Sequence, residues 1–373
     1  MIETTPATST LGARLRERIK REGPIPFRDW MAAALYDSQA GYYCRTDRTR
    51  WGREGDYRTS PERSTLFAAT FAHYFARLYE KLERPAQWTI VEAGAGDGRF
   101  AGGVLQTFQR SFPVVFAATS YVIDEASSHS RLLAQERLEP FGDRVQFKKL
   151  ADVELDPGVV FSNELLDAFP VHRVSLQQDG DLQEFFVTVD GDGKFAWQLG
   201  PPNVESAASL IEYVAEYGSK PRETQICEVN LEIEKWLRTV AEKMRKGFVV
   251  TVDYGLDAED LYSQRVNRNG TLRGFRRHEF ADDLLARPGE QDLTATVNWS
   301  YVKSAGDQVG LETVEFERQD KFLLAAGLLE QLEIESRKCA DEGERLRLST
   351  QAREMILPAG MASHFQVLVQ RKV

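Results

Sequence analysis

Apolar positions recur at helical spacing through the first eighty residues, and then strand-like runs take over. Leu11, Leu15 and Ile19 stand four apart among arginines, which predicts a short amphipathic helix after a polar tail. Gly23-Pro24-Ile25-Pro26 breaks it. Phe27, Trp30, Met31, Ala34 and Leu35 then mark a second helix, closed by Gly41-Tyr42-Tyr43. Ser60-Pro61-Glu62 reads as a helix start, with a cap, a proline at the first helical position and an acid in the first turn. Phe67, Phe71, Phe75, Leu78 and Leu82 carry the apolar face that follows. From Trp88 onward, short buried-type strands are expected near 88–92, 120–124, 145–150, 159–162 and 248–253, separated by helical stretches. A hairpin is expected over 185–189 and 195–199, joined by D-G-D-G, and helices over 206–245. The chain should end as a strand (311–316), a helix (322–332) and a strand (364–370) that close the sheet.

That pattern predicts an α/β fold with a seven-stranded, mostly parallel sheet. An N-terminal helical subdomain is expected over 1–60, and the sheet domain over 61–373. The sheet domain should hold a mainly helical insertion at about 200–245 and a long loop at about 256–300.

Chemistry concentrates where the first strand ends. E-A-G-A-G-D-G (92–98) places Gly94, Gly96 and Gly98 at alternate positions, and Phe100, Val104, Phe108 and Phe112 then repeat on one helix face. Strand, glycine turn and helix open an α/β sheet, whose ligand site lies outside the carboxyl ends of the strands. The spacing is neither G-x-G-x-x-G nor a phosphate cradle with Lys and Ser/Thr. Glu92 and Asp97 would repel a pyrophosphate and suit a cationic or zwitterionic ligand such as S-adenosylmethionine (SAM). This spacing also disfavours an NAD(P)-dependent oxidoreductase.

Other candidates lie at further strand ends. Asp124-Glu125 closes the second strand, where an acid accepts hydrogen bonds from a ribose. Asp152, beyond the third, is a candidate to face an adenine amino group. Asn163-Glu164, with Asp167 close behind, ends the fourth strand in the expected ligand crevice, and neither residue belongs unpaired in a core. Gly55-Asp56-Tyr57 is a candidate lid or ligand wall, and Asp253-Tyr254-Gly255 ends a buried-type strand.

Composition narrows the class. The 42% hydrophobic and 28% charged fractions are those of an ordinary globular protein, and the net charge of −10 argues against a nucleic-acid footprint. Three widely spaced cysteines form no metal pair, and no metal is expected. No apolar run is long enough for a membrane span, and the polar N-terminus lacks a secretory core, so cytoplasm is the expected location. The sequence leaves a homodimer open.

Several segments, in order, resemble one family. They include I-P-F-R-D-W-M and L-Y-D-S-Q-A-G-Y-Y (25–43), G-D-Y-R-T-S-P-E (55–62), E-A-G-A-G-D-G (92–98) and S-N-E-L-L-D-A-F-P-V-H-R (162–173). V-D-Y-G (252–255), G-T-L-R-G-F-R-R-H (270–278), D-L-T (292–294), Q-D-K-F-L-L-A-A-G-L (319–328) and M-A-S-H-F-Q-V-L-V (361–369) follow. Together they resemble the MidA/NDUFAF-seven type of SAM-dependent methyltransferase, which includes the mitochondrial arginine methyltransferase of complex I assembly. The resemblance implies a class I, Rossmann-like methyltransferase fold in which Glu92 and the glycine loop hold SAM and release S-adenosylhomocysteine. It maps the family's ribose acid to Glu125, with Ser127 two positions on, in preference to Asp124. It sets Asn163, Glu164 and Asp167 beside the methyl donor. Ala95 replaces the family's usual proline, and D-E-A-S replaces a cleaner V-E-x-S. The implied acceptor is an arginine of a protein substrate, a complex I subunit in the relatives. Carboxylates must hold such a guanidinium bidentately, and Glu164, helped by Asp56 or Asp167, is the expected holder. The competing expectation is a non-catalytic assembly factor that keeps SAM as a structural ligand.

Overall fold

A computed structural model of the chain describes residues 10–45, 65–177, 181–218, 225–263, 267–276, 279–357 and 364–373. The chain divides into two compact units. One contains 50–167, 233–257 and 296–373; the other contains 1–49, 168–232 and 258–295.

The first unit is built on β1 (Trp88–Ala93), β2 (Thr119–Asp124), β3 (Val145–Phe147), β4 (Gly158–Asn163), β5 (Gly247–Leu256), β6 (Glu312–Arg318) and β7 (Phe365–Lys372). Their order across the sheet is β6-β7-β5-β4-β1-β2-β3. β3, β2, β1, β4 and β5 run parallel, and β7 pairs antiparallel with both β5 and β6. An eighth strand of two residues, Val297–Asn298, runs parallel beside the end of β5. The parallel strands are covered on both faces, so they read as continuous apolar runs and not as alternating ones. Val159, Val160 and Phe161 are all buried, as are Tyr121, Val122 and Ile123.

The helix Thr65–Lys81 packs a phenylalanine face on this sheet. Phe67, Phe71 and Phe75 are fully buried. Phe71 meets Phe161 of β4 at 5.2 Å between ring centroids, and Phe161 stacks on Phe100 at 4.2 Å. Burial of each such ring contributes roughly 1.5–3 kcal/mol. This aromatic layer fixes the helix Arg99–Ser111 against the sheet, and that helix follows the glycine loop.

The second unit has a five-stranded antiparallel sheet, of which Ile25–Pro26, Leu182–Val189, His172–Leu176 and Gln225–Val229 lie in that order, with Phe195–Gly200 beside Leu182–Val189. The expected hairpin is present. The helices Leu11–Glu22 and Phe27–Tyr36 also form as expected, with Leu11, Leu15, Ile19 and Trp30 buried.

Four expectations need correction. The N-terminal helices do not stand as a subdomain of their own, because they group with 168–232 and 258–295. Residues 226–229 are strand and not helix: the alternation of Gln225–Val229 pairs with His172–Leu176, and Arg173 reaches Glu228 at 3.2 Å across that pairing. The stretch 256–300 is not all loop, since Arg273–Arg276 pairs with Glu279–Phe280 and with Asp292–Thr294. The helix expected over 322–332 is two, Gln319–Ala326 and Leu328–Ser336, broken at Gly327, where φ is 103°. A further helix, Glu342–Ile356, was not expected at all.

Candidate active site

Gly94, Gly96 and Gly98 adopt φ of 71°, 57° and 76°. For any residue with a Cβ, this left-handed region costs about 1–2 kcal/mol. Packing adds a second demand. A Cβ on Gly98 would lie 3.0 Å from the Ala134 methyl group, and one on Gly94 would lie 3.0 Å from Leu165 Cδ1. The Gly94 N–H donates to the Asp124 carbonyl at 2.8 Å, tying the loop to the end of β2. Gly98 is the N-cap of the helix Arg99–Ser111.

The two acids after β2 do different work. Asp124 Oδ2 accepts the Leu150 N–H at 2.9 Å. That ties β2 to the turn Leu150–Asp152, and burial pushes the Asp124 carboxyl up from its ordinary range. Glu125 instead lies against the glycine loop: Oε2 accepts the Gly96 N–H at 2.7 Å and Oε1 accepts the Ser127 N–H at 2.7 Å. Ser127 caps the helix Ser128–Leu138 by accepting the Ser130 N–H. Asp152 is exposed on the Leu150–Asp152 turn.

The charge of the loop departs from the sequence argument. Asp97 is paired with Arg99 at 2.9 Å and Arg137 at 3.0 Å. Glu92 is buried, and Oε2 accepts the Tyr121 hydroxyl at 2.8 Å. Burial, with smaller contributions from Asp97 and Glu125, pushes its carboxyl up to about 8 against the pull of that hydrogen bond. Near neutral pH, therefore, neither acid gives the loop a net negative charge. Glu125 is the carboxylate laid against it.

At the end of β4, Asn163 Nδ2 donates to Glu164 Oε1 at 3.1 Å, and Asn163 Oδ1 is buried without a partner among the described residues. Glu164 has φ 52°, unusual for a residue with a side chain. Its N–H donates to the Val252 carbonyl at 2.9 Å. Asp167 is buried. Asp56, expected to help Glu164, lies outside the described residues.

The strands that carry these groups are neighbours. Ala93 of β1 pairs with Asp124 of β2 and with Ser162 of β4, so the glycine loop, Glu125 and Asn163-Glu164 leave the sheet at one end. Sequence reasoning gave no role to Asp253. It ends the apolar run F-V-V-T-V-D, is fully buried, and accepts backbone N–H groups from the loop after Glu164. The signals of it were an acid closing an otherwise apolar run and its place in the V-D-Y-G segment that resembles the family.

Residues 70–317 match the family model described as "Putative S-adenosyl-L-methionine-dependent methyltransferase". The chain belongs to this family. A crystal structure of a COG1565 superfamily member from Burkholderia thailandensis, bound to S-adenosyl-homocysteine, is similar at 28% identity with a TM-score of 0.84, covering 99% of this chain and 95% of that one. The mitochondrial protein arginine methyltransferase NDUFAF7 homolog of Drosophila melanogaster is 28% identical over 87% of this chain and 79% of its own length. The Homo sapiens mitochondrial protein arginine methyltransferase NDUFAF7 is 25% identical, over 96% of this chain and 83% of its own length.

The chain is therefore a SAM-dependent methyltransferase of class I fold and of the MidA/NDUFAF7 type. The residues present fit SAM: a side-chain-free bend, the Glu125 carboxylate beside it, and the buried Asn163 oxygen that lacks a partner among the described residues. The mitochondrial relatives overturn the expectation of a cytoplasmic location. Among the described residues, no helix is long and apolar enough to cross a membrane.

Proposed function

We propose that the chain methylates an arginine of a protein substrate, a subunit of respiratory complex I being the acceptor that the family resemblance suggests. The observation that carries this reading is Glu164, a carboxylate on left-handed backbone at the carboxyl end of β4, next to the strand that leads into the glycine loop. The relatives named as protein arginine methyltransferases support it.

Bound SAM supplies a methyl group on a sulfonium sulfur, open to in-line displacement. Positioning and electrostatics by this chain do the rest. The bend at Gly94, Gly96 and Gly98 would give the cofactor bare backbone, and Glu92, which ends the strand before it, would help to hold it. Glu125 would take the ribose hydroxyls, because Asp124 is committed to the Leu150 N–H, and Asp152 would take the adenine amino group. Asn163 steadies one oxygen of Glu164. The Glu164 carboxylate accepts two guanidinium N–H groups and turns one nitrogen toward the methyl, an arrangement that matches the planar fork of arginine. Its oxygens are also placed to take the proton which that nitrogen gives up. Asp167 and Asp56 are the supporting acids.

Glu164→Gln keeps the size of the side chain but removes the charge and one acceptor. It should lower methyl transfer from labelled SAM at least a hundredfold while S-adenosylhomocysteine affinity, read by calorimetry, stays within about threefold. Full transfer by this variant would refute the role of Glu164.

A further inference from the structure

Glu164 is held from behind. Asp253 Oδ2 accepts the N–H groups of three successive residues, Leu165 at 3.2 Å, Leu166 at 2.9 Å and Asp167 at 3.3 Å. Its Oδ1 accepts the Tyr254 N–H at 2.9 Å. Successive N–H groups that follow a left-handed residue form a concave nest for an anion. Here the acceptor is a buried carboxyl group of the protein itself. β5 thereby grips the turn at two adjacent points: the Val252 carbonyl takes the N–H of Glu164, and Asp253 takes the three that follow. In register, Val252 stands opposite Asn163, so Asp253 is the next residue along, where the turn begins.

This grip accounts for the unfavourable backbone of Glu164. A glutamate does not hold φ 52° unaided, and such conformations persist where the surroundings over-determine them. With three N–H groups gathered on one oxygen, the chain cannot relax to right-handed backbone at Glu164 without leaving buried donors unmet. Relaxation would also swing the Glu164 side chain out of its present direction.

We propose that Asp253 is a positioning residue for methyl transfer, setting the direction of the Glu164 carboxylate through the backbone of residues 165–167. The proposal rests on the reading of Glu164 as the group that orients the acceptor. Asp253 itself touches neither donor nor acceptor. It acts on the rate of transfer and not on cofactor affinity.

Asp253→Asn preserves volume and one oxygen but turns an amide NH2 toward backbone N–H donors that now face a carboxyl oxygen, either the three of residues 165–167 or that of Tyr254. Four proteins would be compared: wild type, Asp253→Asn, Glu164→Gln and the double variant. Each is given labelled SAM and a lysate of cells lacking this gene, and initial label incorporation into protein is followed alongside calorimetry with S-adenosylhomocysteine. The expected result for Asp253→Asn is a rate at least tenfold below wild type at saturating SAM, with S-adenosylhomocysteine affinity within threefold. The double variant should be no slower than Glu164→Gln alone, because both changes disable one device. A rate within twofold of wild type overturns the proposal, as does an affinity loss that parallels the rate loss, or a double variant in which the two losses multiply. Full activity of Glu164→Gln overturns the Glu164 reading and this proposal together. A slow Glu164→Gln beside a normal Asp253→Asn overturns the positioning role alone. If Asp253→Asn does not fold, the smaller, neutral Asp253→Ser is read by the same criteria.

Discussion

Glu92 shows how far burial changes what a side chain can do. In sequence it is an acid beside a glycine turn, and the reading of the loop rests on its charge. In the structure it is enclosed, with the Tyr121 hydroxyl on its Oε2, and its carboxyl is pushed up to about 8. Below about pH 4.5 the folded and unfolded chains both hold the proton, and the stability associated with it is present in full. As pH rises toward 8, the unfolded chain gives up the proton while the folded chain keeps it, and stability falls. Glu92→Gln keeps an acceptor for Tyr121 and has no proton to lose. The variant should gain on wild type by on the order of a few kcal/mol between pH 5 and pH 8. Urea unfolding at the two pH values checks this, and equal shifts in both proteins would disprove it. Burial raises the Asp124 and Asp253 carboxyls in the same direction. At this scale the sequence located the acids but not their tasks. Asp124 and Glu125 are adjacent and chemically alike; the family resemblance prefers Glu125, and the turn at Leu150 supplies the physical reason, because it takes one and leaves the other to Gly96.

Elements were legible wherever a strand is buried on both faces or a helix carries a long apolar stripe. β2, β4 and β5 announce themselves as unbroken apolar runs, and the helix Thr65–Lys81 by its phenylalanines four apart. What was missed depends on partners remote in the chain. Gln225–Val229 is a strand because His172–Leu176 lies beside it, and Asp292–Thr294 because Arg273–Arg276 does. Segments of three to five residues carry too little periodicity to declare that. The same holds for the grouping of 1–49 with 168–232 and 258–295, which no local signal marks. Between these cases stands Gly98, whose place in the motif was plain but whose second reason was not. It brings the helix Ser128–Leu138 close, with Ala134 and Leu138 at 3.0 and 3.1 Å from where a Cβ would sit. Gly98→Ala meets both a left-handed backbone and that contact, so it should destabilise the fold by roughly 2–4 kcal/mol. The displaced start of the helix Arg99–Ser111 should weaken S-adenosylhomocysteine binding as well. Thermal unfolding with and without S-adenosylhomocysteine reads both effects, and an unchanged midpoint would show that the loop has slack the distances do not suggest.

Across the whole chain, 57 acidic residues outnumber 47 basic ones, for a net charge of −10. Such a field acts on any mobile charge that approaches, within the range that salt allows, about 10 Å at 0.1 M and about 3 Å at 1 M. SAM carries a sulfonium and an ammonium against one carboxylate, so it arrives with a net positive charge. The product has lost the sulfonium charge and is neutral overall. The donor is therefore drawn in by a field to which the spent product is nearly indifferent, and turnover gains from the difference. A neutral Glu92 and a paired Asp97 leave Glu125 as the local acid on the loop, so the remaining discrimination comes from the molecule as a whole. The consequence is measurable without knowing the acceptor. Raising salt from about 50 mM to about 500 mM should weaken SAM binding severalfold and S-adenosylhomocysteine binding by less than about twofold. Calorimetric titrations of both ligands at the two salt concentrations decide it. If the two ligands respond equally, the discrimination is made by contacts at the sulfur and not by the acidic field of the chain.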